Sequence, residues 1–164
     1  DAMRPSVHYV QRLCEALGYE QVNKGIGAEI YRPALARLAE DFTPDLITVA
    51  YGTNDWNHFD RDTFTASAAG FFENLVRQYG DTPIYAITPI WRGDHLEKVP
   101  PFGPFADLEE VIRTVCQPWP TIQIISGMPL VPHDAACFGD LYLHPNDTGF
   151  AAYAAHLLEK IGTI

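Results

Sequence analysis

Two stretches of the sequence hold side chains that could do chemistry. The first is Asp140-Leu-Tyr-Leu-His144-Pro145-Asn146, where a histidine stands just ahead of a helical pattern with a carboxylate four residues upstream. An imidazole can take and return a proton near neutral pH, and an acid on its far nitrogen orients it as a general base. The second is Gly52-Thr53-Asn54-Asp55-Trp56. Here Gly52 lets the chain turn sharply, and the Asn54 amide has two N–H donors that could hold an oxyanion. Each stretch has a plainer reading as well. Gly, Asn and Asp are the commonest turn residues, and a histidine before a helix can be hydrogen-bonded locally. Their conjunction at one edge of one predicted sheet favours chemistry.

That sheet follows from the apolar patterning. Val10, Leu13, Cys14 and Leu17 have helical spacing and Gly18 supplies a stop. A short strand is predicted through Gln21–Asn23, then the loop Gly25-Ile26-Gly27-Ala28 and a short helix around Ala34–Ala39. Asp45–Tyr51 is a nearly continuous apolar run rich in β-branched residues, the pattern of a strand covered on both faces. A long helix is predicted from an N-cap at Asp62 to Gly80, with Phe64, Ala68, Phe71, Phe72, Leu75 and Val76 as its core stripe. Pro83–Thr88 reads as a buried strand and Pro89–Pro104 as a long irregular loop. A helix through Leu108–Val115 ends at Pro118, Ile122–Ser126 is a strand, and Phe150–Ile161 is the last helix. Strands alternating with helices imply a parallel sheet, because a parallel neighbour is reached only through a crossover. The expected class is α/β, a three-layer α/β/α fold. In such sheets ligands sit at the carboxyl ends of the strands, which is where both stretches fall.

Composition narrows the partners. With 164 residues, 11 Lys+Arg and 21 Asp+Glu, the net charge is −10, and 47% of residues are hydrophobic. That makes a single domain with a sizeable core, 1–164, whose acidic field repels nucleic acid and anionic lipid. Cys14, Cys116 and Cys137 form no paired pattern and read as ordinary thiols. No run is apolar enough to span a bilayer. A cytoplasmic setting is expected, with secretion left open by a chain that begins at Asp1. A homo-oligomer is also left open.

The motifs resemble those of the SGNH (GDSL-type) esterases and lipases. Gly52-Thr-Asn54-Asp55 matches that family's G-x-N-D block, His144-Pro-Asn the end of its D-x-x-H-P block, and Asn23-Lys-Gly25-Ile-Gly27-Ala28 its N-x-G-x-x-G block with alanine at the last position. The blocks occur in the family's order over nearly the whole chain. The resemblance implies a flavodoxin-like sheet and a serine esterase or acyl-transferring enzyme acting on a small ester, such as an acetylated sugar or a short-chain acyl ester. His144 would be the base and Asp140 the acid, with Asn54 and the Ala28 N–H in the oxyanion hole. No metal or organic cofactor is implied.

The sequence departs from the family at two points. The family's acid stands three residues before the histidine, where Leu141 lies, so Asp140 is one residue displaced and Asp134 is the reserve. The nucleophile belongs in a G-D-S block on a central first strand, yet Ser6, Ser67 and Ser126 have no such context. The expectation is that an N-terminal segment or another chain supplies both strand and serine. The alternative is a non-catalytic binding domain of the same fold.

Other residues have weaker readings. Gly52, Trp91 and Arg92 are candidate pocket residues, and Trp91, Arg92, His95 and Phe102 in the long loop could line an acyl or sugar pocket. Trp91 could equally cap the core. His133, Asp134 and Cys137 lack the spacing of a closed metal site and read as a loop. Asp55 reads as a structural acid holding the Asn54 turn.

Overall fold

A computed structural model describes residues 5–38 and 40–162. They form two compact units, one from the described residues up to Ile26, Ile90–Glu97 and those from Gly127 on, the other from Gly27–Pro89 and Lys98–Ser126.

The second unit holds the sheet. Strands β1 (Ile47–Val49), β2 (Ile84–Ile87) and β3 (Ile122–Ile125) lie parallel in the order β1-β2-β3, with Ile47 opposite Ile84 and Ile84 opposite Ile122. β2 is central and buried at every position, as its unbroken apolar sequence requires. Helices α2 (Thr53–His58) and α3 (Arg61–Tyr79) connect β1 to β2, and α4 (Asp107–Cys116) leads to β3. The α3 stripe of Phe64, Ala68, Phe71, Phe72 and Leu75 is buried, and Tyr31 lies edge-on to Phe64 and Phe71 at centroid distances of 5.7 and 5.5 Å. These are the offset geometries aromatic quadrupoles prefer.

The first unit pairs α1 (Tyr9–Leu17) with α5 (Asp147–Ile161). Gly18 ends α1 in the left-handed conformation (φ 72°), and the Tyr9 and Tyr153 rings stack at 4.2 Å. Asn146 caps α5 by accepting the N–H groups of Thr148 and Gly149 at 3.0 and 3.1 Å. A Cβ on Gly149 would lie 2.3 Å from the Cys137 carbonyl oxygen, so only glycine lets the start of α5 approach the 135–138 turn this closely.

The parallel α/β reading holds, with corrections. Residues 20–26 carry no strand, and Val22 and Ile26 are exposed. The triplet Gln21-Val22-Asn23, with one apolar side chain and no ladder partner among the described residues, has nothing to hold it extended. The helix expected around Ala34–Ala39 is a 3-10 turn at Leu35–Arg37, closed where Leu38 turns extended and donates its N–H to the Leu35 carbonyl, and Ala39 lies outside the described residues. The long helix starts two residues early, because Asp60 rather than Asp62 is the cap and accepts the Thr63 N–H at 2.8 Å. Residues 53–58, read as a turn, form α2. Phe102 is core, 5.0 Å from the Phe64 ring, and does not line a surface.

The three cysteines are free thiols. Burial pushes Cys116 up to about 12, leaving it an unreactive thiol.

Candidate active site

Asp140 and His144 meet in the first unit. His144 stands two residues before the α5 cap, and its loop is anchored on both sides. Its carbonyl accepts the Gly139 N–H at 2.7 Å, while Asn146 donates its N–H to Cys137 and its side-chain amide to Ala136. His144 Nδ1 lies 2.6 Å from Asp140 Oδ2. The other carboxylate oxygen accepts three successive backbone N–H groups, from Tyr142 (3.1 Å), Leu143 (2.8 Å) and His144 (3.0 Å). Partial burial pushes the Asp140 carboxyl up, but those three donors and the imidazole outweigh it and hold the group well below the usual carboxylate range. Asp140 is therefore ionised at neutral pH. The proton between the pair belongs on Nδ1, which leaves the Nε2 lone pair to act as base. The His144 side chain is 54% exposed.

The four-residue spacing is absorbed at Leu141. Its φ is +70°, a left-handed conformation that costs an L-residue about 1–2 kcal/mol. Leu141 is 66% exposed, so burial returns nothing against that cost. The bonds of the turn itself offset it. Asp134, the reserve acid, instead caps the 135–137 turn by accepting the Ala136 N–H at 2.9 Å.

A folded-state pKa below the unfolded value of about 3.9 means stability that is present above that value and lost as pH falls through the folded one. Asp140→Asn should therefore lower unfolding stability at pH 7, and the difference from wild type should shrink progressively below about pH 4. Urea titrations of both proteins at pH 7 and pH 3 check this. An unchanged gap at pH 3 would contradict it.

The remaining site candidates of the first unit lie on the 91–95 loop. Trp91 stacks on His133 at 5.5 Å and touches Phe138 at 5.1 Å, so one face of its ring is covered. Arg92 departs from expectation. It is 1% exposed and its guanidinium grips Asp94 through two bonds of 2.5 and 2.9 Å, a support of the loop rather than a surface for a ligand. His133 Nε2 lies 2.9 Å from the Met128 carbonyl oxygen. Among the described residues no group of three or more His, Cys, Asp or Glu side chains could hold a metal ion.

Asn54, Ala28 and Gly52 belong to the second unit. Gly52 adopts φ +111° after β1, and a Cβ there would sit 3.1 Å from the Pro89 ring. Asp55 is fully buried and structural. Its Oδ2 accepts the Gly52 N–H at 3.2 Å and its Oδ1 the Tyr31 N–H at 2.9 Å, tying the start of α2 to the segment after Ala28. Burial pushes this carboxyl up against the pull of those N–H donors. Asn54 gives one amide N–H to the Glu29 carbonyl at 3.0 Å, so its side chain is held in place with one donor left. Ala28, where the resembled motif has glycine, keeps the left-handed conformation with φ +61°.

Ser126 donates to Glu109 at 2.6 Å and Ser67 lies within α3. The contributions of Leu141 and Glu29 escaped the sequence reading.

A family model described as GDSL-like Lipase/Acylhydrolase matches residues 1–152. Among solved structures the chain is similar to the salicylyl-acyltransferase SsfX3 from a tetracycline biosynthetic pathway, at 22% identity and TM-score 0.84, with 99% of this chain and 50% of that one covered. It is similar to a protein of Bacteroides ovatus described as GDSL-like lipase, at 21% identity and TM-score 0.82, covering 99% and 48%. A third is the inhibitor-bound aryl esterase of M. smegmatis, at 13% identity and TM-score 0.71, covering 98% and 87%. The chain spans about half the length of the first two. At these identities the likeness shows a shared fold. A search of curated proteins returns no match. No helix among the described residues is long and apolar enough to cross a membrane.

Proposed function

Since the chain belongs to the GDSL-like lipase/acylhydrolase family, we propose that it is a serine esterase or acyl-transferring domain acting on a small ester, an acetylated sugar or a short-chain acyl ester. The observation that carries the reading is the 2.6 Å contact of His144 Nδ1 with an Asp140 carboxylate whose other oxygen is fixed by three N–H groups. An imidazole oriented this way is a general base.

The attacking serine in this reading is that of the Gly-Asp-Ser block the resemblance implies, which residues 1–164 do not contain. Its oxygen bonds to the ester carbonyl carbon while its proton passes to His144 Nε2. The carbonyl electron pair moves onto oxygen, and the Asn54 amide and the Ala28 N–H are the donors assigned to that charge. Collapse breaks the bond to the alcohol oxygen, which leaves with the proton from His144. Water, or another hydroxyl acceptor, then attacks the acyl-serine by the same steps in reverse, and His144 again relays the proton. The ionised Asp140 stabilises the imidazolium in both halves.

Hydrolysis of p-nitrophenyl acetate by the natural protein, with and without an organophosphonate that labels activated serines, tests this. Turnover above buffer that is lost on stoichiometric labelling supports it. No turnover and no label would favour the binding-domain alternative.

A further inference from the structure

Gly93 and Leu141 stand outside the acid–base pair, yet the turn carrying that pair leans on both. The Gly93 N–H donates to the Tyr142 carbonyl at 2.7 Å, inside the Asp140–His144 turn. A Cβ on Gly93 would meet Tyr142 Cβ at 3.0 Å, Tyr142 Cα at 3.3 Å and the Trp91 ring at 3.4 Å. Gly93 does not have positive φ, so the glycine serves close approach of two chains rather than backbone freedom. Arg92 and Asp94 on either side lock the loop through their ion pair. The turn is thus pressed from outside at Tyr142. From inside it is held by three N–H groups on one carboxylate oxygen. This arrangement requires the chain to reverse at the residue after Asp140, and Leu141 does so by adopting φ +70°.

We propose that Gly93 and Leu141 are positioning residues, a clamp and a spacer that let an acid four residues before His144 reach its Nδ1. The role assigned to the pair itself rests on the esterase reading above. The clamp's effect on geometry does not. A side chain at position 93 forces Tyr142 to give by a few tenths of an ångström, which shifts the turn that holds the carboxylate against the ring. At position 141 a β-branched residue resists the left-handed conformation, while glycine adopts it freely.

The test uses Gly93→Ala, Leu141→Val, Leu141→Gly and His144→Ala in the natural protein. It reads kcat and KM on p-nitrophenyl acetate, the low-field proton resonance of His144 Nδ1, and the thermal melt. Gly93→Ala and Leu141→Val are expected to lose or shift the resonance upfield and to lower kcat by about 10-fold or more with KM within about twofold. Leu141→Gly is expected to retain the resonance. Leu141 is exposed, so its variants fold even where Gly93→Ala does not. If both Gly93→Ala and Leu141→Val keep the resonance and kcat while His144→Ala is inactive, the clamp is refuted and the esterase reading stands. If His144→Ala is as active as wild type, the esterase reading fails. The resonance still decides the clamp.

Discussion

Replacing His144 with alanine is expected to lower kcat on p-nitrophenyl acetate by roughly 10²–10⁴-fold, the range general acid–base groups contribute, with little change in KM. The size follows from the role. Without Nε2 the attacking hydroxyl must lose its proton to water, and the departing alcohol must leave unprotonated. The fold should tolerate the change, since the His144 side chain is half exposed and the loop is held by backbone bonds from Gly139 and Asn146 that alanine preserves. A circular dichroism melt within a few degrees of wild type, together with the lost kcat, is the expected pair of results. Equal rates for the two proteins would remove His144 from the mechanism.

Asn54→Ala should lower kcat by about 10²–10³-fold, the usual effect of deleting an oxyanion donor, again with KM nearly unchanged. A second effect must be separated from it. The Asn54 amide also donates to the Glu29 carbonyl at 3.0 Å, next to Ala28, so alanine here also leaves a loop carbonyl without its donor. Asn54→Asp loses both donations as alanine does, and in addition puts a negative charge where an oxyanion develops. It should be at least as damaging to kcat as alanine. An Asn54→Ala variant with a lowered thermal melt and wild-type kcat would mean that Asn54 holds the loop and nothing more.

What the sequence carries and what it hides differ in physical kind. The buried strands and the α3 core were legible because an unbroken apolar run such as Ile84–Ile87 has no exposed solution in a folded domain. Asp140 and His144 were legible as types and spacing, and Asn54 as a donor after a strand-end glycine. The Gln21–Asn23 strand was not, because strand formation there depends on a neighbour that local sequence cannot specify. The α2 helix was hidden because Gly, Thr, Asn and Asp favour turns, and the Asp55 carboxylate that organises it accepts from Tyr31, distant in sequence. Arg92 looked like a pocket residue because arginine is usually exposed. Its burial follows from Asp94, two residues on, which a composition reading does not weigh. The left-handed Leu141 is the least legible feature, since leucine rarely adopts that conformation and only the bonds around it explain its presence.

The most direct test of the central claim, that His144 and Asp140 activate a serine for acyl transfer, is the intact mass of the natural protein quenched during turnover of p-nitrophenyl acetate. One added acetyl group on a serine in a Gly-Asp-Ser context is expected, present in wild type and absent in His144→Ala. Sustained turnover in wild type with no acetylated protein at any time, or acetylation that proceeds equally in His144→Ala, would contradict it.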